Sequence, residues 1–477
     1  MRLRTPLLLA AALLLFVPIW AVGCGDSTQE ATPRRDMLNY PIGVTVHPDG
    51  DYLYVVNSNF DARYGQESGG SVSVIDAETL ELLPERTPFA PSFSSYLELN
   101  ADASKAYLSS RGGDAVVAYD VADDGSALYC TDDDGETTSN PADCVVDRIP
   151  DDPDGAPLPP DPFGLSVYSV ERDVGTVDVV SLAHLRADNN REVSRVSTLT
   201  FPERSIAAAS MQTAPLLRGS NVVTRRPGTQ HMYVGGRNEN RVAIFQPYIN
   251  DEGEVEALLD RGSFALTNAR ISQGGDSVAT PINSRGLVFD DDGDTLFAIT
   301  QRPSALHVVD IGPADPDEGT GIDHSISASI PLPSGPSDIE LHTTPDGERL
   351  AYVASYEDRS IQVVDVDDET IVDEILLDAS PYDIAIERGD EACQNDEQRC
   401  RLRDALQRHR PERRRVRRRR GDRRLRLAGR HRHQPREPRS GRPGAFALPH
   451  RHHQDSVNPT PSPTRSGRAH AIQTADP

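Results

Sequence analysis

"PIGVTVHPDGDYLYVVNSNFDARYGQESGGSVSVID" spans residues 41–76, and "PSDIELHTTPDGERLAYVASYEDRSIQVVDV" spans 336–366. The two stretches share one grammar. A short alternating strand ends in a Pro-Asp-Gly turn, a second strand rich in Tyr and Val follows, and a polar loop leads to a third strand of the form x-Val-x-Val-x-Asp. Period-two runs of β-branched and aromatic residues separated by Asp-Gly turns make antiparallel hairpins. Weaker copies occupy 95–121, 162–182, 220–245 and 284–311, and a seventh begins at "SPYDIAIERGD" (380–390) and stops.

One such sheet cannot bury both of its faces, so the copies must stack, and four-stranded sheets stacked radially form a β-propeller. The stretch after each third strand is expected to supply the fourth, as at 77–85 and 368–378. Repeat spacing exceeds the ~40–45 residues of a minimal blade. The surplus reads as inserted loop, mainly around Cys130–Cys144 and over 183–219. The expected fold is all-β: a propeller over 38–400 with seven intended blades, six clear and the seventh truncated. Six-bladed closure over 41–378 is the alternative.

"DYLYVVNSN" followed by "GGSVSVID" resembles the YVTN family of β-propellers, surface-layer-like and lipoprotein-anchored proteins of bacteria and archaea. The matching residues are Tyr54, Val55, Val56, Asn57 and Val72–Asp76, echoed by Tyr352, Val353, Ala354, Ser355 and Ile361–Asp365. Val56 and Ala354 stand where the family motif has Thr. The tryptophan–aspartate repeat class is excluded, because the one tryptophan, Trp20, lies in the leader. The resemblance implies a seven-bladed propeller in the cell envelope and no single activity, since propellers are scaffolds for many.

Residues 1–23 read as a lipoprotein signal peptide: a basic "MRLR", an apolar stretch and the ending "AVGC". This ending resembles the lipobox, in which the signal is cut before a cysteine that is then acylated. Carried over, the acceptor is Cys24, with 24–37 a polar tether. An uncleaved anchor is disfavoured, because the apolar run falls short of the ~20 residues that span a bilayer and contains Pro18. Export and an even count of the remaining cysteines suggest two local disulfides, Cys130 with Cys144 and Cys393 with Cys400. Zinc wants closer cysteine spacing and nearby histidines.

No local catalytic motif stands out. Ser68 in "GQESGG" falls in the loop before the third strand. "DDDGD" (290–294) falls at the turn between the first two strands, and His47, His231, His307, His324 and His342 have no metal-ligand spacing. Asp132, Asp134 and Glu136 in "CTDDDGE" form a weak candidate calcium cage, with a solvated acidic loop as the alternative. No cofactor is expected otherwise. The expected function is a monomeric, lipid-anchored, non-catalytic propeller of the bacterial envelope that binds a protein, peptide or glycan. The alternative is an enzyme of lactonase or quinoprotein type with its site at the central channel. Converging carboxylates and histidines around a metal would favour the enzyme.

Charge divides the chain. Residues 401–477 hold 22 Arg and 6 acidic residues, whereas the preceding 400 residues carry a net charge of −41. The acidic body repels nucleic acid, so no nucleic-acid partner is expected. The basic tail has too few apolar residues to offset the entropy of ordering and reads as disordered. Lys105 is the only lysine, which points to a GC-rich gene. In such a gene, Asp/Gly-rich codons read two bases late become arginine codons. The tail is therefore expected to be a frame-shifted propeller segment, with one nucleotide gained or lost near codons 402–408.

Overall fold

The computed structural model describes residues 33–386, except 59–68, 113, 132–136, 139–144, 147–160, 186–193, 203–209, 216–217, 267–269, 274–275, 280–282, 313–323 and 345–346. Six sheets follow one another along the chain. Blade one orders β1 (Pro41–Val46), β2 (Tyr52–Asn57), β3 (Gly70–Asp76) and β4 (Phe89–Ala90). Blade two has β5 (Ser94–Leu99), β6 (Lys105–Ser110) and β7 (Ala115–Val121). Both β8 (Leu128–Thr131) and β10 (Val145–Val146) pair with β7, and β9 (Thr137–Thr138) pairs with β8. Blade three has β11 (Pro162–Arg172), β12 (Gly175–His184), β13 (Arg195–Pro202) and β14 (Ser210–Pro215). Blade four has β15 (Ser220–Arg225), β16 (Met232–Gly236), β17 (Arg241–Ile249) and β18 (Val255–Ala265), and a hairpin of β19 (Arg270–Gln273) and β20 (Asp276–Ala279) follows. Blade five has β21 (Ser284–Phe289), β22 (Thr295–Gln301), β23 (Ser304–Ile311) and β24 (His324–Pro331). Blade six has β25 (Pro336–Thr343), β26 (Arg349–Ser355), β27 (Ser360–Asp365) and β28 (Thr370–Leu376).

First strands of successive blades touch in the order β1, β5, β11, β15, β21, β25, so they line a common axis. The cores lie between blades. Tyr54, Val72 and Val74 of blade one pack with Ala106, Val117 and Tyr119 of blade two, and four further clusters join each later pair. Tyrosine hydroxyls pin these junctions: Tyr54 donates to the Gly125 carbonyl at 2.6 Å, and Tyr107 to Asp178 at 2.8 Å. The last letter of "YVVN" is also a pin. Asn57, 1% exposed, donates to Ser71 and Ser73 and accepts from the Asn39 amide.

Beyond β28 the chain returns to the axis. The Ser337 hydroxyl donates to the Pro381 carbonyl at 3.1 Å, the Ile384 amide to Asp338 Oδ2 at 3.2 Å, and the Val44 amide to Asp383 Oδ2 at 2.7 Å. Residues 381–386 therefore occupy the place of an innermost strand between β25 and β1. The propeller has six blades, and this segment, which is not itself part of a sheet, stands where a seventh would begin.

Two sequence expectations change. Residues 183–219 are not all inserted loop, because β13 and β14 lie within them as the outer strands of blade three. The β11–β12 hairpin turns at Gly175 (φ +109°) without a Pro-Asp-Gly signal, so the copy at 162–182 contains only two strands. The fourth strand of blade one is Phe89–Ala90, not 77–85. That earlier stretch makes one bridge, Ile75 to Leu82, and enters a 3₁₀ turn at Pro84–Arg86.

Candidate functional site

Every first strand carries a register shift near its start: Pro41/Gly43, Ser94/Leu97, Pro162/Gly164, Ser220/Val222, Ser284/Gly286 and Pro336/Asp338. A bulge frees a residue from the ladder and re-aims its side chain. The freed residues include Tyr96, Phe163 and Arg285, all at the same end of the axis, and Tyr382 holds the matching place in the segment 381–386. The turns joining second to third strands open at this end too. They add Arg111, after β6, and Arg237, after β16. Five blade positions thus converge on one mouth.

The rings form its floor and wall. Phe163 meets Tyr96 edge-on, with centroids 5.4 Å apart at 89°. The guanidinium carbons of Arg111 and Arg237 lie 5.8 and 5.2 Å from the Phe163 centroid, within cation–π range. Arg111 Nε reaches Asp161 Oδ1 at 3.4 Å. Burial, followed by the nearby charge of Arg285, lowers the pKa of Arg237. The Nε atoms of Arg237 and Arg285 are buried and have no hydrogen-bond partner among the described residues. A buried unbonded donor costs about 1–3 kcal/mol, more when charged. An anionic acceptor would relieve both this cost and the repulsion between Arg237 and Arg285.

Carboxyl groups come next along the same strands. Burial raises Asp338 well above the ordinary carboxylate range, helped by the charge of Asp383 and the hydrogen bond between the two. Burial raises Asp383 too, opposed by its bonds to Asp338, Val44 and Ile384. Glu98 Oε2 accepts the Val167 amide at 2.8 Å. Burial pushes its carboxyl up to about 8, and Glu340 and Asp383 add repulsion. Burial likewise raises Tyr96, reinforced by Tyr382, Asp383 and Asp338 and opposed by Arg285.

Among the described residues, no three His, Cys, Asp or Glu side chains could hold a metal. The axis therefore brings carboxylates together without histidines. His307 is buried, bonded to Thr300 and Ser329 at 3.1 and 2.9 Å, and its burial lowers it to about 4. His324 stacks on Phe264 at 4.3 Å. His47 packs edge-on against Tyr54. The burial of His231 lowers its pKa, helped by Arg261 and Arg226. His342 lies on β25. None of these histidines belongs to a metal-holding group.

"DDDGD" is a turn, in which Asp290 Oδ1 caps the Asp294 and Thr295 amides at 3.0 Å each. Cys130 lies within β8, 2% exposed, and is not a free thiol. Cys24, Ser68, Cys144, Cys393, Cys400, Asp132, Asp134, Glu136 and the tail 401–477 lie outside the described residues. The arginines, tyrosines and acids of the mouth are missing from the sequence expectations. Aligning the repeat copies at the start of each first strand would have exposed Tyr96, Arg285 and Asp338, because polar or aromatic residues stand there in place of β-branched ones, whereas Arg111 and Arg237 lie in the turns after the second strands.

No family model matches the chain, and no curated protein does. Solved structures with similar folds include a candidate 6-phosphogluconolactonase from Bacteroides uniformis, at 16% identity and TM-score 0.49, over 72% of this chain and 88% of that one. The periplasmic gluconolactonase PpgL of Pseudomonas aeruginosa is similar at 15% identity and TM-score 0.47, over 72% and 87%. AztD of Citrobacter koseri, in its apo form, is similar at 12% identity and TM-score 0.36, over 72% and 88%. At these identities and TM-scores, neither activity nor substrate passes from those proteins to this chain.

Proposed function

We propose that the chain is a cell-envelope propeller of YVTN type whose axial mouth binds a small hydroxylated organic anion, such as a sugar acid. The observation that carries this reading is the pair of buried, unbonded Nε donors on Arg237 and Arg285. Guanidinium groups bind carboxylate or phosphate through paired donors, and the partly exposed rings of Tyr96 and Tyr382 offer apolar surface to a sugar ring. Apolar walls with a few convergent polar groups are the usual form of a small-molecule site.

A second reading, hydrolysis of the corresponding lactone, is favoured by Glu98. A carboxyl that titrates near the working pH suits proton transfer. In both readings the chain is held at the membrane by a lipid on Cys24, and disulfides staple the loops around Cys130–Cys144 and Cys393–Cys400.

Isothermal titration with gluconate and with inorganic phosphate tests the binding reading. The expected result is saturable binding that weakens at least about tenfold in Arg237→Gln and Arg285→Gln. Each lost charge-assisted bond is worth roughly 1.5–3 kcal/mol. Equal affinities in the variants would sink it. Gluconolactone hydrolysis separates the second reading, which requires turnover by the native chain and its loss in Glu98→Gln.

A further inference from the structure

Six blades in a closed ring need six inter-blade cores, yet among the described residues there are five; none joins blade six to blade one. The two faces beside this gap are incompletely covered. Ile330 on β24, facing blade six, is 5% exposed, whereas Ile375, at the same register on β28, is 43% exposed. On the other side, Ala351 and Val364 of blade six are 0% exposed, but their counterparts in blade one, Leu53 and Ile75, are only half-buried. The gap already holds residues 381–386 in the place of an innermost strand, tied on both sides by Asp338 and Asp383. What it lacks is the second, third and fourth strands.

We propose that this gap is the seat of three further strands of a seventh blade, encoded in the same gene one base out of the frame that yields residues 403–477. Codon arithmetic supports this occupant. An arginine codon CGN followed by a codon beginning with C reads, one base later, as GNC, which encodes Val, Ala, Asp or Gly. By the same shift, Pro411 permits Pro, Glu412 must become Asn or Ser, and Arg413 permits Gly. Arg414 permits Asp, Arg415 permits Val, Val416 permits Tyr, and Arg417, Arg418 and Arg419 permit Val, Ala and Asp.

The alternate frame therefore admits a Pro-Asn-Gly turn and then Val-Tyr-Val-Ala-Asp, the grammar of Pro48–Asn57. Further on, Gly429 and Arg430 permit Val, His431 must become Ile or Thr, and Arg432 permits Asp. Val-Val-Ile-Asp there matches the third-strand ending Val74–Asp76. The order of turn, second strand and third strand is that of the six complete blades. The arginine run is the shadow of this order, because codons rich in Asp, Val, Ala and Gly become CGN when displaced.

The test is to sequence the gene across codons 402–434 and to express the chain read in the alternate frame from that point. The proposal expects CGN codons at Arg413–Arg420 and an open alternate frame through codon 434. AGA or AGG codons there, or a stop in the alternate frame, overturn it. At the protein level, amide exchange of Thr370–Leu376 is expected to slow by about tenfold or more in the shifted chain relative to the present one, as an uncovered edge becomes core. Equal exchange in the two chains, or a shifted chain that does not fold, overturns it.

Discussion

Glu98 shows how one position can serve structure and chemistry together. Its carboxyl accepts the Val167 amide of the next blade while strands surround it, and burial pushes its folded value up to about 8 from the ordinary 4.5. Between these values the folded chain binds the proton more tightly than the unfolded chain. Its contribution is therefore most favourable below about pH 4.5 and is lost as pH rises toward 8. Glu98→Gln keeps an acceptor for Val167 and removes the charge. The variant is expected to melt above the native chain at pH 9 and level with it at pH 4, read by thermal unfolding at both pH values. His307, held neutral near 4, acts in the opposite window, losing stability as pH falls from 6.5. Neither shift could be read from the sequence, because each arises from neighbours distant along the chain.

At the scale of the strand, the repeat grammar carried most of the information. Pro-Asp-Gly turns and x-Val-x-Val-x-Asp endings placed β1, β2 and β3 and β25, β26 and β27, and the alternation at 368–378 placed β28. In blade three only the first hairpin was read, as the copy at 162–182; its outer strands escaped because they follow two long connections. The bulges were not legible either, since a register shift is defined by the partner strand.

They matter because the residue after the bulge must let neighbouring strands approach. A Cβ on Gly43 would lie 2.6 Å from the Ser95 carbonyl, and one on Gly164 would lie 2.7 Å from that of Asn221. Where blades six, seven and one meet, Asp338 and Asp383 stand at these places instead and bond the next strand's amide. Gly164→Ala is expected to destabilise the chain by about 1–3 kcal/mol, as overpacking against rigid backbone does. Urea unfolding of the variant beside the native chain checks this.

For the molecule as a whole, the propeller was legible and its site was not. A ring collects its axial residues one per blade, so Arg111, Arg237, Arg285, Tyr96 and Tyr382 leave no local motif. The proposed anchor belongs to this scale too. Metabolic labelling with a fatty-acid analogue is expected to mark the chain in bacteria and to be lost in Cys24→Ala; equal labelling would place any lipid elsewhere. At the mouth, the Nε atoms of Arg237 and Arg285 are buried without a hydrogen-bond partner among the described residues. Anion binding there is tested most directly by a crystal of this protein soaked in selenate, with the anion located by its anomalous signal. A peak bridging Arg237 and Arg285 is expected. A mouth without a peak, in which both Nε atoms are bonded to the protein's own groups, would contradict the binding reading.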